Sequence, residues 1–277
     1  MHLIVVGDIH AQFDKFWLIL QQAGLADVHR HPSETLQDPE GPQLVLLGDL
    51  VHAKSRARYS EICDVHLYDE HNPEHIRKAE AAQEAFLREV LAFQESLPAG
   101  RMEILLGNHD HNVIDAEQGS LRTDDVSHLE WKEPNGAPFP SDLRRWLSRW
   151  PRELIIAGVH LAHVGPKREH NTYDNDFYLE NRRRWIYEEG DALAKTPYSL
   201  GVYGHTPVRG GVSMTSRGRV ILLDTNGHGD EFVYLEVRDH PDGYRLRMRG
   251  LFFDEIVPRS LSEVDDSEQT PSSSASN

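Results

Sequence analysis

The chain alternates short, wholly apolar runs with long polar stretches, and five of the runs close on small polar motifs. LIVV at 3–6 leads into GDIH, LVLL at 44–47 into GDLVH, and EILL at 103–106 into GNHD. HLAH at 160–163 closes the motif AHVG, and LGVY at 200–203 leads into GHTP. Short apolar runs bounded by turn residues predict strands. Each of these strands then delivers Asp, His or Asn at its carboxyl end. Between them, Phe13, Phe16, Trp17 and Leu20 recur at helical spacing and predict a helix ending near Gly24. Phe86, Val90, Phe93 and Leu97 predict a second over about 76–97, stopped at Pro98-Ala99-Gly100. Leu143, Trp146, Leu147 and Trp150 mark a short helix ended by Pro151, and 154–164 reads as a hairpin turning at Ala157-Gly158. Strands dominate from 212 to 250, with a turn at Pro241-Asp242-Gly243.

The polar stretches divide by composition. Residues 29–43 read as a surface loop. Residues 115–141, with Pro134, Pro138, Pro140 and Gly136, read as an insertion or lid rather than core. That stretch and the charged segments 54–75 and 166–196 are expected to rim the site and set its substrate choice. Beyond 254 the chain is acidic, then Ser-rich, which predicts one folded domain over 1–253 and a disordered tail over 254–277. A strand–helix–strand first half and a strand-rich second half predict an α/β fold of two packed sheets flanked by helices, with the site where the sheets meet.

Charge and cysteine content narrow the function classes. Twenty-nine Lys and Arg against 45 Asp and Glu give a net charge of −16 over 277 residues. Such a surface argues against long-range attraction to nucleic acid or to an anionic membrane. Cys63 is alone, which excludes an intrachain disulfide and fits a reducing compartment. No basic-then-apolar segment precedes the first strand, and no apolar run approaches the roughly 20 residues that span a bilayer. The expectation is a cytoplasmic protein with no membrane or nucleic-acid partner. Because the chain has 17 His residues, position at strand ends has to select among them.

The strand-end residues form a metal-donor set. Asp8 and His10 can converge on one point, Asp49 has two carboxylate oxygens and can bridge two cations, Asn108 offers an amide oxygen, and His163 and His205 offer imidazole nitrogens. Nitrogen and oxygen donors without thiolate suit Mn, Fe or Zn. Six donors are too many for one open tetrahedral ion, so two divalent ions are the economical reading. Two such ions lower the pKa of a shared water, and the resulting hydroxide can attack phosphorus. His109 adjoins Asn108 and is left free to protonate a departing alkoxide. The plainer explanations are Gly-Asp as a simple turn, His163 as a core histidine and His205 as a strand terminus. They would have to hold at all five motifs together.

With GDIHA, GDLVHAK, GNHD, HVG and GHTP in order, the sequence resembles the calcineurin-like metallophosphoesterases. Within them it is similar to the phosphoprotein-phosphatase branch, which includes bacterial Ser/Thr phosphatases and symmetrical dinucleoside-tetraphosphate hydrolases. That branch carries GDxHG, GDxVDRG, GNHE, HGG and GHT, and LLDTNG at 222–227 resembles its closing segment, with Asn226 inserted. The resemblance implies a four-layer α-β-β-α sandwich of two mixed sheets. It assigns Asp8, His10 and Asp49 to one metal, Asp49, Asn108, His163 and His205 to the other, and makes His109 the acid.

The second motif departs from the pattern, and Ala11 and Val164 replace two glycines elsewhere. The family's Asp-Arg-Gly is His52-Ala53-Lys54 here. In the family that Asp pairs with the catalytic His and that Arg holds phosphate, so Ala53 cannot take the Arg's part. Lys54, Arg56 and Arg58 follow the motif, and Arg182, Arg183 and Arg184 lie where relatives often place a phosphate-binding Arg. The triplet is the preferred substrate contact, since a guanidinium fork binds phosphate bidentately. The expected function is a phosphatase holding two divalent ions, Mn²⁺ first with Fe or Zn behind, and acting on a phosphoprotein or nucleotide monoester. The alternatives are a phosphodiesterase, nucleotidase or dinucleoside polyphosphate hydrolase, and a metal-binding scaffold that has lost turnover through the changes at 52 and 53.

Overall fold

Strand β1 (His2–Val6) is apolar along nearly its whole length because both of its faces are covered. Ile4 and Val6 pack toward helices, while Leu3 and Val5 pack toward a second sheet. The same division splits Leu44 and Leu46 from Val45 in β2 (Gln43–Leu46), so a one-residue slip would put each side chain into the wrong core. The computed structural model describes residues 1–115, 119–123, 125–165, 193, 196–208, 212–215, 218–224, 227, 231–241, 243–250 and 254–260.

Two mixed sheets carry the fold. The first adds β3 (Met102–Ile104), β11 (Val233–His240), β12 (Gly243–Gly250) and β13 (Asp254–Ser260), in the order β13-β12-β11-β1-β2-β3. The second comprises β6 (Glu153–Ile156), β7 (Val159–Ala162), β8 (Leu200–Tyr203), β9 (Val212–Thr215) and β10 (Val220–Leu223), in the order β6-β7-β8-β10-β9. A small hairpin, β4 (Arg122–Thr123) with β5 (Val126–Ser127), stands apart from both. The register decides where the motifs fall. Val6 lies opposite Leu46, which lies opposite Ile104, and these three strands are parallel. Ala162 lies opposite Tyr203 in a second parallel pair. Within each sheet the strands therefore end level, and their exits emerge side by side.

Between the sheets lies a core of Leu3, Val5, Val45, Leu47 and Leu105 against Leu161, Val202, Ile221 and Leu223. The outer face of the first sheet is covered by α1 (Phe13–Gln22), α4 (Pro73–Glu95) and α6 (Ser141–Leu147), through Phe16, Leu20, Phe86, Val90, Phe93, Leu143 and Leu147. This is the expected α/β class with two mixed sheets. Three of the four expected layers are present among the described residues, and most of 166–195 lies outside them. No helix among the described residues is long and apolar enough to cross a membrane.

Several expectations are corrected. The stretch 115–141 is not a lid: Trp131 and Phe139 enter the main core, and His128 and Glu130 are fully buried. Its prolines and glycine hold an irregular path whose anchors, spaced without helix or strand period, give no periodic signal. The loop 29–43 contains a short helix, α2 (Glu34–Gln37), capped by the Ser33 hydroxyl accepting from Leu36 N. The charged stretch 54–75 contains α3 (Arg56–Cys63), which buries only Tyr59 and Cys63 and so shows almost no apolar stripe. Helix α4 starts three residues early because Asn72 caps it and Pro73 fits its first turn. The tail expected from 254 begins inside a paired strand, since β13 runs antiparallel to β12 with Asp254 opposite Arg249. Residues 261–277 lie outside the described residues.

Candidate metal centre

β1 exits through Gly7 to Asp8 and His10, β2 to Gly48 and Asp49, and β3 to Gly107, Asn108 and His109 at the start of α5 (Asn108–Ile114). From the second sheet, β7 runs directly into His163 and β8 through Gly204 into His205. The exits of β2 and β3 pass so closely that neither glycine can be exchanged. Gly48 has φ +98°, and a Cβ there would lie 2.5 Å from Gly107 N and 2.8 Å from Leu105 O, both backbone atoms. Gly48→Ala is therefore expected to cost at least the roughly 1–3 kcal/mol of a strained backbone residue. At about 2–4 °C per kcal/mol for a chain of this size, calorimetry should record a clear fall in Tm. An unchanged Tm would mean that the two exits can move apart freely.

Five non-glycine residues at these exits also hold left-handed backbone: His10 (φ 45°), Ala11 (56°), Asp49 (51°), His52 (64°) and His205 (61°). Such conformations persist only where the surroundings impose them. Asp49 shows how. Its carbonyl accepts from Ile9 N (3.1 Å) and His10 N (2.8 Å), which ties the β1 exit to the β2 exit. Its own N–H donates to Asp110 Oδ2 at 2.6 Å, and Leu50 N donates to Asp110 Oδ1 at 3.0 Å. Its Oδ1 accepts from His109 N at 2.8 Å, fixing the first turn of α5 against it.

Asp49 Oδ2 is the centre of the cluster. It lies 3.4 Å from His10 Nε2, 3.3 Å from His163 Nε2 and 4.0 Å from His109 Nε2. Asp8 Oδ2 lies 3.4 Å from His10 Nε2, and both Asp8 oxygens accept from His205 N at 3.1 and 3.2 Å. Asn108 Oδ1 lies 3.0 Å from His163 Nε2 and 2.9 Å from His205 Nδ1. All six expected donors and His109 are thus brought together, from both sheets.

Tautomers test whether the site fits a cation. His163 Nδ1 meets the Leu47 carbonyl at 2.8 Å, and His10 Nδ1 meets the His52 carbonyl at 3.0 Å. A carbonyl only accepts, so each Nδ1 carries a proton and each neutral ring turns a lone pair at Nε2 toward carboxylate oxygens. Lone pairs facing carboxylates repel unless a cation or proton lies between them. Without a metal, His163 takes the proton: burial opposes it, but the Asp49 and Asp8 carboxylates raise the imidazole to about 10. Asp49 stays ionised despite its burial, because His163 and His109 hold its carboxyl well below the usual range. Burial and the neighbouring Asp224 push Asp8 well above it. His10, driven down by burial and then by Lys54, stays neutral, and its Nε2 is buried with no hydrogen-bond partner. Two triads drawn from these residues, His10–Asp49–His109 and Asp49–His163–His205, place one donor atom each within 4.8 Å of one another. The donors fit divalent ions, whose charge would replace the proton on His163 and draw off that on Asp8.

Residues 1–238 match the family described as calcineurin-like phosphoesterase. The chain belongs to that family. A calcineurin-like phosphoesterase fold is also seen from the side of structure. The solved structure of a cold-active protein tyrosine phosphatase superposes with a TM-score of 0.52 at 14% identity, covering 89% of this chain and 75% of that one. Among curated proteins, a symmetrical bis(5'-nucleosyl)-tetraphosphatase of Glaesserella parasuis serovar 5 (strain SH0165) is 28% identical over 163 residues, or 59% of this chain. The match spans 42% of that relative's length.

In this calcineurin-like phosphoesterase a second histidine stands beside His109. His52 Nδ1 lies 3.0 Å from His109 Nδ1, so one ring donates and the other accepts. The His52 ring stacks on His128, with centroids 4.4 Å apart and planes 4° apart. Tyr59 OH (2.9 Å) and Thr123 Oγ1 (2.6 Å) engage the two nitrogens of His128. His52 N donates to Gln83 Oε1 at 2.7 Å, and Gln83 Nε2 donates to Glu130 at 3.0 Å. Sequence reasoning missed His128, Gln83 and Glu130, since they lie in unmotivated stretches. It also missed Asp110, although that residue is the last letter of its third motif. Of the expected cations, the Arg56 guanidinium is held by the Glu70 carboxylate and the Tyr68 and Asp125 carbonyls, and Arg58 by Glu61 and the Ala11 carbonyl. Arg182, Arg183 and Arg184 lie outside the described residues.

Proposed function

We propose that this protein is a dinuclear-metal-dependent phosphatase acting on phosphate monoesters, of the phosphoprotein or nucleotide kind. The observation that carries the reading is Asp49 Oδ2, faced by the Nε2 atoms of His10, His163 and His109 at 3.4, 3.3 and 4.0 Å. Asp8, His10 and Asp49 would hold one ion and Asp49, Asn108, His163 and His205 the other, with Asp49 between them. Mn²⁺ is the first choice for such a nitrogen and oxygen set, with Fe or Zn behind. Ions held there supply Lewis-acid charge at the phosphoryl group and make water a nucleophile near neutral pH. His109 does the proton work. Its Nδ1 is occupied by His52, which leaves Nε2 to protonate the departing alkoxide oxygen. Burial pushes the His109 imidazole well below its ordinary value, and the Asp49 carboxylate is the neighbour that favours its protonated, acid form.

A second reading, hydrolysis of a dinucleoside polyphosphate, is favoured by the similarity to the symmetrical tetraphosphatase. The Mn²⁺-supplemented protein should hydrolyse p-nitrophenyl phosphate faster than bis(p-nitrophenyl) phosphate, with diadenosine tetraphosphate assayed beside them. Preference for the bis-ester would overturn the monoesterase reading. Preference for the dinucleotide would select the second. Absence of turnover on all three with each metal would favour the scaffold.

A further inference from the structure

Lys54 is buried, with 9% of its surface exposed, and no described residue forms a hydrogen bond or ion pair with its ammonium. Its ammonium is not among the buried polar atoms that lack a partner, so the stem is covered while the charged end stays open to a ligand. Its location is defined by what surrounds it. A Cβ added at Gly227 would lie 2.9 Å from His10 Cβ and Cδ2 and 3.1 Å from Lys54 Cγ, so the Gly227 backbone lies against both side chains and sets the lysine stem beside His10. The ammonium charge acts on Asp8, on His10 and on His128, which are groups of the candidate metal centre and of the histidine stack beside it. The neighbouring cations are engaged elsewhere, as described for Arg56 and Arg58.

The charge balance says what could complete it. Asp8, Asp49 and the neighbouring buried Asp224 bring three carboxylates, whereas two divalent ions would bring four positive charges, and Lys54 adds to the excess. Such a site is short of negative charge and suited to an oxyanion. We infer that Lys54 is the residue that holds the phosphoryl oxygens of the substrate, taking over from across the motif the part that the side chain of Ala53 cannot play. The inference rests on the phosphoesterase reading. It differs from the expectation that an Arg of 182–184 carries this contact.

Inorganic phosphate is the probe, titrated calorimetrically into the Mn²⁺-supplemented wild type, Lys54→Gln and Lys54→Arg, with the ion content of each measured in parallel. Lys54→Gln is expected to keep its ions and to bind phosphate about ten- to hundredfold more weakly, the range of one lost charge-assisted hydrogen bond. Lys54→Arg is expected to recover part of that affinity. With ester substrate, KM should rise more than kcat falls. Unchanged phosphate affinity in Lys54→Gln with its ions retained would overturn the inference, and so would loss of the ions, which would make Lys54 part of their cradle. If the wild type hydrolyses no ester yet loses phosphate affinity on substitution, the phosphoesterase reading fails and Lys54 still stands as the anion site.

Discussion

Replacing His109 by Gln is expected to lower kcat on phenyl phosphate by about 10²–10⁴, the range for losing a positioned general acid. On 2,4-dinitrophenyl phosphate the fall should be far smaller, because that leaving group departs without a proton. The contrast follows from the geometry. His109 Nδ1 is taken by His52 at 3.0 Å, whereas Nε2 lies 4.0 Å from Asp49 Oδ2, beyond direct hydrogen bonding, which leaves it for the leaving group. Ion content should not change, since His109 is not among the six proposed donors. An equal loss on both esters would place His109 in binding rather than in proton transfer. Activity untouched on both would end the mechanism altogether.

Asp49→Asn is expected to be the most damaging single change at the donor set. An amide can still accept from His109 N, as Oδ1 does now at 2.8 Å, so the first turn of α5 keeps its anchor. What is lost is the negative charge between His10 and His163. Ion affinity should fall by more than the roughly 10–100-fold typical of disturbing a residue that only supports a ligand. Turnover should fall by at least the order of 10³ associated with one preorganised electrostatic group. Elemental analysis after dialysis reads the first effect and ester hydrolysis the second. A variant that keeps its full ion content and its rate would move the bridge to another residue.

The fold was legible where burial is simple. β1, β2 and β8 are covered on both faces, so their apolar runs stand out against polar flanks and their bounds fall within a residue or two. Elements that bury little, such as α3 with only Tyr59 and Cys63 in the core, leave no periodic trace. The segment holding Trp131 and Phe139 is anchored by isolated side chains on an irregular path, which composition alone reads as surface. At the site the donors were legible because each leaves a strand end within a few residues. His128 was not, for it acts through space: its ring meets His52 face to face although the chain separates them widely. Asp110 was hidden differently. Its role is to accept from the backbone of Asp49 and Leu50, and a side chain that serves another residue's main chain has no sequence signature of its own.

The left-handed backbone at His10, Asp49 and His205 bears on how this centre could be altered. Among residues with a side chain, Asn, Asp and His enter that region several times more readily than others. The same three types are the ones whose short polar groups can reach an ion from a turn. Conformation and coordination therefore ask for one small alphabet at these positions. Exchanges within it, His for Asp or Asn for His, leave the chain path intact and shift only the charge and hardness of the donors. A cysteine at these three positions, drawing the site toward softer ions, would carry a main-chain cost that His, Asp and Asn largely escape. Retuning the preferred ion there is thus easiest through imidazole, amide and carboxylate, while Asp8, Asn108 and His163 carry no such backbone demand.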